Sequence, residues 1–227
     1  MTTGSGSLPR AIVSERALRQ AAAAAVAAGG RRADLRADAY GHGLERVAGI
    51  LRDAGVTELL VDAEAAETLR GSGLAVTTEG AADIAVDRLY GLPGSGVAPA
   101  LSLSGRVMSL KPLRAGDAVS YGYTHRATTD TTVALVTGGY AQGIPRALGN
   151  RAMVGIAGAA HPIVGRVAMD VCVVDIGDAA VAEGDDVIFF GAGVVRDALA
   201  DWSAVTGMPP AELVAVAGLK GVREWTD

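Results

Sequence analysis

Apolar positions change their spacing near residue 100, and the change divides the chain into two styles of structure. Before that point they recur at helical intervals between short apolar runs. Ser14 caps a first helix, Glu15 favours its start, and Gly29-Gly30 ends it. Alternation predicts a strand over 33–37. Leu44, Val47, Ala48, Ile50 and Leu51 fall on one face of a helix over 44–54, which Gly55 stops. A strand over 57–62 follows, then a helix over 63–70 closed by Gly71-Ser72-Gly73. The stretches 74–76 and 84–86 each read as a brief strand. This βαβα order implies a parallel sheet with covering helices. Gly91-Leu92-Pro93-Gly94-Ser95-Gly96 and Pro99 mark a linker and a domain boundary. Beyond it, strands are expected over 100–111, 118–121, 132–138, 152–157, 163–165, 170–176 and 186–190. Regular short strands with Gly and Asp turns suggest a small β-barrel or sandwich. A short helix over 199–206 and a final strand over 213–216 complete the reading. No internal repeat stands out.

Composition narrows the function classes. The 227 residues are 50% hydrophobic, so a sizeable core is within reach, but only 4% are aromatic. A net charge of −5 argues against nucleic acid or an anionic membrane as the main partner. No run approaches the ~18 apolar residues of a membrane span. The alanine tract over 21–28 is flanked by Arg19, Gln20, Arg31 and Arg32 and reads as a helix. Residues 1–10 read as a flexible leader, and they lack the basic start and apolar stretch of a signal peptide. Cys172 is the single cysteine, which excludes an intrachain disulfide and fits a cytoplasmic location. His42, His125 and His161 are scattered without ligand spacing, so no metal site is expected. Neither a Gly-x-Ser-x-Gly elbow nor a Walker loop is present.

The candidate chemistry centres on Leu35-Arg36-Ala37-Asp38-Ala39-Tyr40-Gly41-His42-Gly43. A strand, a Gly-rich loop and a helix start suit an anion such as phosphate, and they equally describe an ordinary βα turn. The wording closely resembles the cofactor segment of the alanine racemases. In the second half, Val119-Ser120-Tyr121-Gly122 resembles that family's Val-Ser-Tyr-Gly. Gly139-Tyr140-Ala141-Gln142-Gly143-Ile144-Pro145-Arg146 is similar to its Gly-Tyr-Ala-Asp-Gly-x-x-Arg, with Gln142 replacing the usual Asp. Pro162-Ile163-Val164-Gly165-Arg166-Val167-Ala168-Met169-Asp170 is almost its Pro-Ile-Val-Gly-Arg-Val-x-Met-Asp.

The resemblance implies pyridoxal phosphate as cofactor and interconversion of L- and D-alanine as the reaction. It also implies a β/α barrel, typically of ~250 residues, followed by a β-domain. Only about 90 residues precede the linker here. The expected fold is therefore α/β + β: a leader over 1–10, a partial β/α-barrel fragment of two to four parallel strands over 11–92, and a β-barrel-like domain over 100–227. Tyr140 matches the tyrosine base that reaches into the partner subunit's site, so catalysis implies a dimer; the plainer reading is a packing tyrosine. Met169 and Asp170 match the segment that contributes to the substrate carboxylate site, or form a strand-edge turn. Tyr40 matches the contact to the cofactor phosphate, while Tyr40 and His42 also suit a role in ordering their loop.

Arg36 is the departure, standing where the family has its Schiff-base lysine. Arginine stays protonated, so it neither forms a stable imine nor serves as a base. It suits pairing with a phosphate or carboxylate, or a structural ion pair with Asp34 or Asp38. The two lysines, Lys111 and Lys220, lie elsewhere. The expectation is an alanine racemase-family protein whose own site is degenerate. The alternative is a non-catalytic binding or assembly protein that dimerises through the β-domain, with itself or with a complete racemase. An incomplete barrel also leaves sheet edges open, which predicts a homodimer or a complex with another family member.

Overall fold

The computed structural model describes residues 8–227. Strand β1 (Arg10–Ser14) opens the chain and runs into helix α1 (Glu15–Ala27). The Ser14 hydroxyl accepts the Ala17 amide at 3.2 Å, the expected cap. The leader over 1–10 therefore stops short: Arg10 already pairs with Ser104 and Val222, and residues 1–7 lie outside the described residues.

A three-stranded parallel sheet follows, in the order β2 (Arg32–Asp34), β3 (Glu58–Leu60) and β4 (Ala75–Thr77). Between β2 and β3 lie α2 (Arg36–Tyr40) and α3 (Leu44–Ala54); α4 (Ala63–Thr68) joins β3 to β4. The sheet is the partial β/α fragment. The strand expected over 33–37 ends at Asp34, because Ala37 to Tyr40 turn into the left-handed region with φ between 51° and 57°. Four such residues in a row are costly without glycine. The stretch 84–86 is also not a strand. The Ile84 amide meets β2 at a single carbonyl, that of Arg32, and Val86 already begins α5 (Val86–Tyr90), which packs on α1.

From residue 101 the chain builds a closed antiparallel barrel. β5 (Leu101–Leu113) is long enough to pair with β1, with β8 (Thr131–Thr137) and with β12 (Asp186–Phe190). The wall runs β5-β8, then β11 (Val171–Asp175), β10 (Ala159–Val164), β9 (Met153–Ile156) and β12, which returns to β5. A small hairpin of β6 (Ala118–Val119) and β7 (His125–Arg126) forms a separate two-stranded sheet. Helices α6 (Ala198–Thr206) and α7 (Pro210–Lys220) follow, and β13 (Val222–Thr226) pairs parallel with β1. The strand expected over 213–216 lies inside α7. Leu213, Val214 and Ala215 are buried and Val216 is exposed, and in so short an apolar run period alone does not separate strand from helix. One buried core runs without interruption from Leu18 and Leu59 to Phe189 and Trp202, across both sheets.

Candidate functional site

The residues singled out in the sequence fall into two clusters. The first is built on the end of β2. The Asp34 carboxylate is 4% exposed and grips the Arg36 guanidinium, with Nε to Oδ1 at 3.0 Å and a close Nη2–Oδ2 contact. It also accepts the Tyr40 hydroxyl at 3.1 Å and the Arg36 amide at 3.0 Å. Burial pushes the Asp34 carboxyl up, but the Arg36 hydrogen bonds outweigh this and hold it below the usual carboxylate range. The Tyr40 phenol is pushed up, first by burial and then by the Asp34 charge. Of the two partners foreseen for Arg36, Asp34 is the one it takes. Asp38 pairs with Arg223 of β13 instead.

The left-handed turn is held from four directions. Asp62 accepts the Ala37 amide at 2.6 Å, and Asp38 accepts the Leu44 amide at 2.7 Å. Arg223 Nε donates to the Gly41 carbonyl at 3.0 Å. His42 is fully buried, and its Nδ1 lies 2.9 and 3.0 Å from the carbonyls of Ala39 and Tyr40, so that nitrogen carries the proton and donates. Its ring lies 4.5 Å from that of Tyr90. Burial pushes the His42 imidazole down to about 4, which keeps it neutral. This makes His42 a loop-ordering residue. A cleft of about 570 Å³ opens beside the turn, lined by Asp38, Arg46, Asp62, Arg223 and Trp225. Its guanidiniums are already engaged, Arg46 with Glu15 and the Trp225 face, Arg223 with Asp38.

The second cluster lies on the barrel. Tyr140 is 40% exposed at the end of β8, with the Arg146 guanidinium 5.1 Å from its ring centre. Its backbone is laced to the Met169-Asp170 segment: the Tyr140 and Ala141 amides donate to the carbonyls of Ala168 and Met169, each at 2.9 Å. A Cβ on Gly139 would stand 2.2 Å from the Met169 oxygen, so only glycine permits this approach. Tyr140, Met169 and Asp170 are thus brought together on the barrel. No hydrogen bond or ion pair among the described residues joins them to Arg36 or Tyr40.

Gln142 was visible in the sequence only as a deviation. The structure gives it work: buried, it accepts the Gly139 amide at 2.9 Å and donates Nε2 to Asp170 Oδ1 at 2.7 Å. An ionised aspartate has no proton to donate, so the amide suits a carboxylate neighbour. Arg223 and Tyr90 were missed altogether, since only the fold carries them to the turn. Among the described residues no group of three His, Cys, Asp or Glu side chains is placed to hold a metal, and no helix is long and apolar enough to cross a membrane.

Comparison with known proteins bears on both clusters. An alanine racemase of Mycolicibacterium vanbaalenii is 52% identical over 111 residues, which cover 48% of this chain and 28% of that protein. The chain spans less than half the length of the curated relatives it matches. Among solved structures, the alanine racemase of Streptomyces coelicolor A3(2) superposes with a TM-score of 0.85 at 19% identity, covering 97% of this chain and 98% of that one. The alanine racemase of Bartonella henselae, described with covalently bound pyridoxal phosphate, gives 0.75 at 17% identity, covering 96% and 99%. At such identities the likeness establishes the fold alone. The sequence pattern of the alanine racemase C-terminal domain matches residues 100–224, barrel strands and Tyr140 cluster included. Because that match takes in more than half of the chain, the protein belongs to the alanine racemase family.

Proposed function

We propose that this chain is a member of the family that does not racemise alanine, and that it acts through its β-barrel as a binding or assembly protein. Its partner is a second copy or a complete racemase. The Arg36–Asp34 pair carries this reading. Pyridoxal phosphate, when bound through a lysine imine, stabilises the carbanion that racemisation passes through. The residues present do not fit that group. Arg36 offers no amine, and its charge is committed to a buried carboxylate. Tyr40, the expected phosphate contact, directs its hydroxyl at that same carboxylate, whose charge opposes a phosphate. Losing an acid–base group alone costs roughly 10²–10⁴-fold, and losing the covalent anchor with it deepens the loss.

One observation favours pairing with a complete racemase. Tyr140 stays half-exposed while its backbone and the Asp170 carboxylate are firmly braced, so the barrel cluster is kept in order without use inside this chain. Such a barrel would offer Tyr140, and a site for alanine or a similar small amino acid, to a partner that brings its own lysine.

The test adds pyridoxal phosphate, records absorbance from about 390 to 430 nm, traps with borohydride, and measures D-alanine formed from L-alanine. No trapped adduct on Arg36 and a rate at the cofactor-only background are expected, unchanged in Tyr140→Phe. Arg36→Lys is expected to give weak rescue or none. A rate well above background that Tyr140→Phe abolishes overturns the reading.

A further inference from the structure

We propose that residues 78–90 are a built-in strap that covers the outer edge of β2, the side on which the three-stranded sheet would otherwise take a further strand. A parallel strand turns the backbone groups of alternate residues to either side, so the free edge of β2 presents the N–H and the carbonyl of both Arg32 and Asp34. Three of these four groups take a partner from the strap. Asp83 Oδ1 accepts the Arg32 amide at 2.8 Å and the Arg31 amide at 2.9 Å. The Asp83 and Ile84 amides donate back to the Arg32 carbonyl, both at 3.1 Å. The Tyr90 hydroxyl donates to the Asp34 carbonyl at 2.9 Å from a fully buried ring.

The strap is anchored along its length. The Glu79 amide donates to Thr77 Oγ1 at 3.3 Å as the chain leaves β4. The Arg32 guanidinium reaches the Glu79 carbonyl and lies 3.4 Å from the Glu58 carboxylate. Gly80, at φ +93°, lets that guanidinium pass where a Cβ would stand 2.9 Å from it. Buried Ile84 seats against Gly30, where a Cβ would come within 2.6 Å of its Cγ1. An exposed sheet edge is a template for adventitious pairing, and side-chain and loop cover is one way to blunt it. Here one carboxylate, two amides and one phenol stand where a neighbouring strand would pair. The strap thus supplies locally what further strands of a longer barrel would supply, and it does so whether or not the chain racemises alanine.

Amide hydrogen exchange on the full chain tests this, in the native protein, Asp83→Ala and Asp83→Asn. The Arg31 and Arg32 amides are expected to be protected in the native protein. In Asp83→Ala they are expected to exchange at least tenfold faster, while amides of β8 and β11 keep their rates. Asp83→Asn, which keeps one acceptor oxygen, is expected to fall between. Should Asp83→Ala fail to fold, protection in the native chain together with the intermediate rate in Asp83→Asn supports the strap. Native Arg31 and Arg32 amides exchanging like those of an open loop overturn it. So do rates that neither substitution changes.

Discussion

The barrel sheet closes on itself, β12 returning to β5, whereas the parallel sheet stops at β2 on one side and β4 on the other. Closure satisfies every strand of the barrel with another strand, from the tight β9–β10 hairpin to the long-range return of β12 to β5. The parallel sheet has no such return, and along its β2 edge the Arg32 N–H, the Arg32 carbonyl and the Asp34 carbonyl are met by one carboxylate, two amides and one phenol from a short following segment. The same contrast separates the two clusters of candidate residues. On the barrel, backbone ladders set Tyr140 and Asp170 and leave the tyrosine accessible. On the parallel sheet, side chains have turned inward: Arg36, Tyr40 and Asp34 satisfy one another. A region held by backbone pairing keeps its surface groups available, while one held by side chains consumes them.

The largest effect that would sharpen this contrast comes from the shared core. Phe189 is fully buried in the barrel, and Phe189→Ala is expected to cost about 3–5 kcal/mol. The two tryptophans report separately, Trp202 from the barrel core and Trp225 beside α3. Single-tryptophan variants (Trp225→Phe or Trp202→Phe) carrying Phe189→Ala should shift their urea midpoints together. Separate midpoints would make the two regions independent and break the picture of one continuous core.

Acid acts next, and on the parallel sheet first. His42 is neutral and buried, with its imidazole near 4 against about 6.5 in an unfolded chain. Between those values the unfolded state binds the extra proton, so stability falls as pH drops from about 6.5 to 4, by roughly 3 kcal/mol. The Asp34 carboxyl is depressed and adds a loss at lower pH, as it protonates in the fold. Replacement by a residue that does not titrate, His42→Gln, should flatten the slope of stability against pH in that window. An unchanged slope would assign the acid sensitivity to other groups.

A smaller effect isolates the left-handed turn. Arg223→Ala removes the partner of Asp38 and the donor to the Gly41 carbonyl, at an expected cost of about 1–3 kcal/mol. Exchange at the amides of residues 37–44 should rise while the barrel ladder stays protected. If the barrel loosens equally, β13 is bracing both regions rather than latching one.

The sequence was most legible where structure is local. The helix over 44–54 matches α3 residue for residue, because its apolar stripe and the stop at Gly55 need no distant partner. Strand alternation likewise located the six strands of the barrel wall, with β10 starting four residues before the expected 163, while β7 went unforeseen. Legibility failed where a remote partner decides. The run Leu213-Val214-Ala215-Val216 has the composition of a strand, and packing on α6 and α2 makes it helical. Ala37 to Tyr40 carry no glycine to announce a left-handed turn; contacts from Asp62, His42 and Arg223 hold them there.

By itself, then, the chain determined its two styles of structure, its family wording, and the replacement of a lysine by Arg36. Those are properties of residue type and spacing, which are local. Only the tertiary structure decided that Arg36 spends its charge on Asp34, and that Gln142 holds Asp170. It also decided that β13 returns to β1 from more than 200 positions away and that Asp83 finishes the edge of β2. Each is a pairing between groups whose separation along the chain leaves no periodic trace, fixed only when burial removes water as the competing partner.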